Sequence, residues 1–266
     1  MKWKLGRCVF SAVVLIACTG QAPAAVAAKD GRAMIKESDR QLKSHSEKTG
    51  YRMEIVGADG NVEQTRTFVT YYKRDSDGVE HTLQKFTGPP VFQGTGLLIV
   101  NHPGGQSDIW IYLPSSRLIR RVAGQEKSNQ YMGTEFSYDD FEGYQISQYD
   151  FKLTGERPCG DRQTCHLIEA KPATKAEKRS SGYTKKVYWL EERSLYPVRI
   201  EYYNKEDKLE KVLVSTGMHQ VNHYWRPTRQ VMTNRLDGRA TRLAVTKQEV
   251  DQGLQNYYVS KRFLRR

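Results

Sequence analysis

Apolar side chains fall on both sides of the run Ile109–Leu113, where Ile109, Ile111 and Leu113 alternate with Trp110 and Tyr112. A strand with one wet face would alternate apolar with polar residues, so this strand needs dry neighbours on both faces. Pro114 ends it, Ser115 and Ser116 make a turn, and Arg117–Val122 resumes as a second strand. Leu97–Asn101, entered through Gly94-Thr95-Gly96, is another strand apolar on both faces. Phe136–Phe141 reads as a helix start, with Ser137 as N-cap, Asp140 in the reciprocal position, and Phe136 and Phe141 spaced for a hydrophobic staple. Asp139, Asp140 and Glu142 would then crowd the positive end of that helix.

The same patterning continues along the chain. Asp30–Ser46 favours a helix with a thin mixed face of Ala33, Met34, Ser38, Gln41 and Leu42, and Gly50 is expected to end it. Tyr51–Val56 and Val62–Lys73 read as strands joined by the Asp59-Gly60 turn, a strong hairpin dipeptide. Val79–Phe86 follows the turn at Asp75–Gly78, and Pro89-Pro90 interrupts the regularity. Beyond the central block come Ile146–Thr154, His166–Ala170, a polar and basic loop at Lys171–Gly182, then Tyr183–Glu191, Val198–Tyr203, Leu209–Ser215 and Gln220–Tyr224. The Asp237-Gly238 turn joins Arg229–Arg235 to Ala240–Lys247. Roughly ten or more strands in near-sequential hairpins predict a meandering barrel or half-barrel.

The first residues stand apart. Lys2, Lys4 and Arg7 form a basic n-region, Cys8–Cys18 a short apolar stretch, and Ala25-Val26-Ala27 or Val26-Ala27-Ala28 a small-residue cleavage site, so residues 1–28 read as a secretory signal peptide. The apolar stretch is too short to span a bilayer. A second cleavage is open, because Leu15-Ile16-Ala17-Cys18 resembles a lipobox that would leave Cys18 as a lipid anchor of an outer-membrane lipoprotein. Residues 29–266 show no Pro/Gly/Ser-rich linker and are read as one β-rich domain. Removing the leader takes away three basic residues, Lys2, Lys4 and Arg7, and no acidic ones, so the remainder of a chain with net charge +12 stays basic. Cys159 and Cys165 flank Gly-Asp-Arg-Gln-Thr, which in an exported protein reads as a disulfide at the mouth of a hairpin.

The run Trp110–Pro114, the Arg120-Arg121 pair and Met132-Gly133-Thr134-Glu135-Phe136-Ser137-Tyr138-Asp139-Asp140 resemble the signature of the outer-membrane lipoprotein-sorting family, the LolA-like periplasmic carriers of lipid or lipoprotein. Gly88–Leu98 is similar to the Pro-x-x-x-Gly-Thr-x-x-Leu segment that precedes that block, and Cys165–Pro172 also has a counterpart there. The resemblance implies a mainly β fold in which a strongly curved antiparallel sheet, lidded by a few helices, encloses an apolar cavity. It also implies a periplasmic, non-enzymatic function without cofactor: a monomer receives acyl chains from an inner-membrane transporter, RND-type or other, and passes them between envelope membranes.

Strand alternation together with that resemblance gives an expected ligand lining of Phe68, Leu97, Ile99, Trp110, Tyr112, Trp189, Ile200 and Tyr202. Acyl chains would enter for the removal of apolar surface from water, about 0.8 kcal/mol per methylene. The plainer reading is that these large side chains fill a solid core, leaving an envelope structural or interaction module without cargo. Arg117, Arg120, Arg121 and the basic Lys171–Lys186 region are solvated surface or meet anionic headgroups or an acidic partner. Nucleic acid is not expected, since no RNP, zinc-knuckle or basic-helix motif is present. His219 and His223 have helical metal-ligand spacing but lie in a segment that reads as strand, where four residues span ~13 Å, so no metal site is expected. No nucleophile elbow, P-loop or dinucleotide fingerprint occurs, so a catalytic residue cannot be named and an envelope hydrolase is the least supported alternative.

Overall fold

The computed structural model describes residues 30–160 and 162–266; the signal-peptide and Cys18 readings lie outside the described residues. The chain runs α1 (Gly31–Leu42), β1 (Ser46–Val56), β2 (Val62–Arg74), β3 (Glu80–Gly88), β4 (Gly96–Asn101), β5 (Asp108–Leu113) and β6 (Leu118–Val122). After two 3-10 turns at Gly124–Ser128 and Tyr138–Phe141 come β7 (Tyr149–Gly160), β8 (Gln163–Pro172), α2 (Lys175–Ser180), β9 (Lys185–Glu191), β10 (Pro197–Tyr203) and β11 (Leu209–Thr216). β12 (His219–Val221), β13 (Tyr224–Arg226), β14 (Arg229–Asn234), β15 (Ala240–Val250) and α3 (Lys261–Arg265) complete it.

Among the described residues thirteen strands form one sheet in the order β6-β5-β4-β3-β2-β1-β15-β14-β11-β10-β9-β8-β7, and β12 pairs with β13 separately. The pairs are antiparallel, and the sheet is not closed, leaving β6 and β7 as its edges. Hairpin chemistry fixes the register: Gly60 and Gly238 sit at φ of 82° and 80° in the two Asp-Gly turns. The sheet is strongly curved. Val122 of β6 and Tyr202 of β10 belong to the same buried cluster, yet nine strand spacings would hold them ~43 Å apart in a flat sheet.

The concave face carries Met53, Phe68, Phe86, Leu97, Ile99, Ile111 and Met232 into that cluster. The convex face of β3–β5 carries Leu83, Leu98, Val100 and Tyr112, covered by Leu264 and Phe263 of α3. Strands β4 and β5 therefore are apolar on both faces for a reason visible in their neighbours. At the other end of the sheet, Ile35 of α1 packs on Ile168, Tyr188 and Leu190.

Several sequence expectations are corrected. Gly50 does not end a helix; it lies inside β1 at a register shift against β15, and α1 already stops at Leu42. The face of α1 that is buried is Gly31, Ile35 and Ser38. Lys171–Gly182 is not an unpacked loop, since β8 continues to Pro172 and α2 follows with Thr174 accepting from the Glu177 amide as its N-cap. Within Phe136–Phe141 only Tyr138–Phe141 is helical, one 3-10 turn rather than an α-helix, although Ser137 and Asp140 make the capping box and the Phe136 and Phe141 rings stack at 5.5 Å. Gln220–Tyr224 is not one strand: the chain reverses between β12 and β13, with Asn222 at φ 57°.

Candidate functional site

The segment between β6 and β7 crosses the concave face and fills much of it. Tyr131 is fully buried, with ring contacts to Tyr138 at 5.4 Å, Phe141 at 5.2 Å and Phe86 of β3 at 6.3 Å. Arg66 of β2 reaches across to hold this segment: its guanidinium donates to the Met132 carbonyl at 2.7 Å and lies 3.9 Å from the Phe92 ring centre. Burial pushes the Arg66 pKa down, a desolvation cost that the flanking aromatic faces offset in part. On the other flank, the Glu135 amide donates to Thr241 Oγ1 at 2.9 Å.

The acidic run of this segment is buried rather than solvated. Asp140 accepts from the Ser137 amide and hydroxyl, both at 2.8 Å, and from Tyr183 Oη at 3.3 Å. Lys186 of β9 stands 3.9 Å from its second oxygen. Desolvation, then the neighbouring Asp139 charge, raise the Asp140 pKa, and the lysines Lys186 and Lys211 oppose this. Burial disfavours the Lys186 charge, yet the anionic and tyrosyl groups around it leave its pKa well above the ordinary value. The sequence reading found these carboxylates as helix caps and missed their lysine partners, which lie on strands remote in sequence.

The eight expected lining residues divide between the two faces. Phe68, Leu97, Ile99, Ile200 and Tyr202 face inward and join the core around Tyr131. Tyr112 joins the convex cluster, with Trp110 packed beside it and Lys261 3.8 Å from the Trp110 ring. Trp189 pairs with Arg199 across β9 and β10, the guanidinium 5.3 Å from its ring, on the face opposite Tyr188 and Ile200. Alternation separates two faces of a strand without saying which is concave.

A cavity of about 550 Å³ lies between the concave face, α1 and the chain at 142–147. Its apolar walls include Leu42, Tyr51, Tyr144, Ile146 and Tyr196, none of them in the expected set. Tyr51 separates cavity from core, since its ring stacks on Phe68 at 4.9 Å. Charged groups in the wall neutralise one another: Lys43 is 2.8 Å from Asp39 and 2.5 Å from Glu80, and Arg226 is 2.9 Å from Glu47. Burial works against the Lys43 charge, but Asp39 and Glu80 outweigh it and raise its pKa. Burial raises the pKa of Tyr51 and Tyr72 and pushes that of Tyr196 up to about 12, so these phenols remain neutral donors. Tyr72 Oη and Ser44 Oγ find no hydrogen-bond partner among the described residues.

At the far end of the sheet, Cys159 and Cys165 form a disulfide across the β7–β8 hairpin, Cα to Cα 5.7 Å. Among the described residues no group of three or more His, Cys, Asp and Glu is placed to hold a metal ion. No helix of the described residues is long and apolar enough to cross a membrane.

An open antiparallel sheet curved around an inserted segment, with helices on its faces, defines a LolA-like fold. The chain is similar to the crystal structure of a domain described as an outer membrane lipoprotein-sorting protein from Vibrio parahaemolyticus, at 27% identity and a TM-score of 0.81, covering 89% of this chain and 98% of that one. A DUF1329 family protein from Desulfovibrio piger matches at 28% identity and a TM-score of 0.81, covering 88% and 97%. A LolA superfamily protein from Nitrosomonas europaea shares the fold at 18% identity and a TM-score of 0.67, covering 88% and 99%. The model of a family described as "Uncharacterized protein" matches residues 78–266, and the chain belongs to that family. The comparison with curated proteins finds no match.

Proposed function

We propose that the protein is an exported, periplasmic carrier that holds acyl chains of a lipid or lipoprotein inside its half-barrel and passes them between envelope membranes, in exchange with an inner-membrane transporter. It performs no chemistry on the cargo. The observation that carries this reading is the cavity of about 550 Å³ between α1 and the concave face, a size usual for small-ligand sites, in a fold shared with the Vibrio lipoprotein-sorting domain. Phe68, Leu97, Ile99, Ile200 and Tyr202 are the inward members of the lining, and Tyr51, stacked on Phe68, is the side chain that would swing to join cavity and core. Each methylene moved from water into that interior contributes about 0.8 kcal/mol. Trp110, Tyr112 and Trp189 then serve the convex face.

The test is native mass spectrometry of protein released gently from the envelope, with lipid extraction, followed by titration of delipidated protein with a fluorescent fatty acid. Ile146→Trp, which fills the cavity, should weaken that binding by about tenfold, while Trp189→Ala on the convex face leaves it unchanged. Protein that retains no lipid and binds no fatty acid would refute the carrier reading.

One observation favours a second reading. Tyr131, Phe136 and Phe141 already occupy much of the concave face, as in an envelope interaction module without cargo, anchored at Cys18. Palmitate labelling abolished by Cys18→Ala, on a protein of otherwise bare mass, is the outcome that reading requires.

A further inference from the structure

The large apolar side chains most exposed among the described residues are Val62, Val91, Leu113, Leu118 and Leu236. Scattered singly, such residues need no explanation. Here all five stand on one rim of the sheet. Leu113 and Leu118 face each other where β5 turns into β6. Val91 belongs to the next turn, at 89–95, and a Cβ placed on Gly94 there would come within 3.3 Å of Pro114 in the first turn. Val62 opens β2 after the turn at 57–61, and Leu236 lies in the turn at 235–239 beside it, Gly238 being 3.8 Å from Ala58 by the same measure. These are four neighbouring hairpin turns in the sheet order β6-β5-β4-β3-β2-β1-β15-β14. Val91 and Leu118 are 79% and 67% exposed.

On this rim arginines outnumber carboxylates. Arg117, Arg235 and Arg265 are exposed and have no ion-pair partner among the described residues. Lys85 donates to the carbonyls of Phe263 and Leu264 at 2.9 and 3.0 Å, which places the C-terminal Arg265 and Arg266 beside the start of β4. Of the carboxylates in these turns Glu63 is paired, with Arg239 at 2.9 Å, while Asp59 and Asp237 accept from the Asn61 and Arg239 amides at 3.0 and 2.9 Å and keep their charge, so that Arg117, Arg235, Arg265 and Arg266 leave the rim with a positive excess. The cavity lies toward the opposite rim, where Asn101–Gly105 and Gly143–Ser147 line it.

We infer that this rim docks on an anionic phospholipid bilayer, Val91, Leu113 and Leu118 entering the headgroup boundary and the arginines meeting the phosphates. Apolar burial and attraction to anionic lipid add in such interfacial binding. Docked this way, the cavity faces away from the membrane. The inference does not depend on the carrier reading, because it concerns a surface remote from the cavity.

The test is sedimentation of the protein, carrying Cys18→Ser so that no acyl anchor contributes, with vesicles of phosphatidylglycerol and phosphatidylethanolamine or of phosphatidylcholine alone. Binding is expected to the anionic vesicles, to weaken with salt, and to fall by about tenfold in Val91→Asp with Leu118→Asp. Arg117→Glu should weaken binding to the anionic vesicles only. Both variants sit on exposed turns and should keep the wild-type melting temperature and fatty-acid affinity, which separates loss of docking from loss of the carrier site. Equal sedimentation of wild type and variants, or no sedimentation with either vesicle, overturns the inference; variants that instead lose cross-linking to an inner-membrane protein would make the rim a protein interface.

Discussion

Lys127 Nζ lies 2.6 Å from Glu142 Oε1 with both side chains almost fully enclosed, and it also donates to the Ser107 carbonyl at 3.2 Å. The pair ties the first 3-10 turn to the chain leaving the second, and so fixes the segment that fills the concave face. Desolvation raises the Glu142 pKa, opposed chiefly by Lys127. Removing one partner of a buried pair strands the other, so Lys127→Met should cost about 3–5 kcal/mol at neutral pH. A carboxyl whose folded pKa is raised destabilises above that value, so the deficit should shrink as pH falls and Glu142 takes up a proton. Lys127→Met with Glu142→Leu should recover most of the loss. Urea unfolding of the three proteins at neutral and acidic pH reads all of this; a pH-independent deficit would contradict it.

Tyr131 is buried with a hydroxyl that has no hydrogen-bond partner among the described residues. Tyr131→Phe removes that unsatisfied group while keeping the ring contacts, and should raise stability by about 1 kcal/mol. Tyr131→Ala should lower it by about 3–5 kcal/mol, since the ring is central to the aromatic cluster. Thermal denaturation separates the two outcomes by sign.

Asp251 draws the end of β15 to the start of β1, accepting from the His45 and Ser46 amides at 2.8 Å each and from Tyr224 Oη at 3.0 Å. Burial works against its charge, but these donors outweigh it and hold its pKa below the ordinary 3.8. Its contribution is thus present above pH 3.8 and lost as pH falls through the lowered value. Asp251→Ala should cost about 1–3 kcal/mol at pH 7, and the gap between variant and wild type should narrow in strong acid. Chemical denaturation across that range is the measurement.

The disulfide closes a loop of sequence separation 6. Loop-closure entropy for so short a loop is worth about 2 kcal/mol. Reduction, or Cys159→Ser with Cys165→Ser, should therefore lower the melting temperature modestly and leave the fold intact by circular dichroism.

What the sequence made legible was local. The Asp59-Gly60 and Asp237-Gly238 turns sit where their dipeptides place them, and Cys159 meets Cys165 across the expected hairpin. Leu97–Asn101 and Ile109–Leu113 needed two dry faces and have them, one in the core and one under α3. The helix α2 escaped notice because its buried side, Glu177 and Ser180, is polar and leaves no apolar period. Lys127 and Glu142 each resemble surface charges, and only the folded chain reveals their pairing. The cavity was illegible for a related reason: Leu42, Tyr51, Tyr144 and Tyr196 come from a helix end, a strand and two loops with no common spacing.

The sheet ends at β6 and β7 without joining them. In a closed barrel, strand number and shear dictate the radius, and any swelling must break ladder hydrogen bonds. A seam left open removes that constraint, so the interior can widen by hinging its two flanks while every strand keeps its partners. Resistance to expansion then resides in side chains such as Tyr51 and Arg66, which makes the capacity of the interior adjustable by substitution at a few positions rather than by redesign of the backbone.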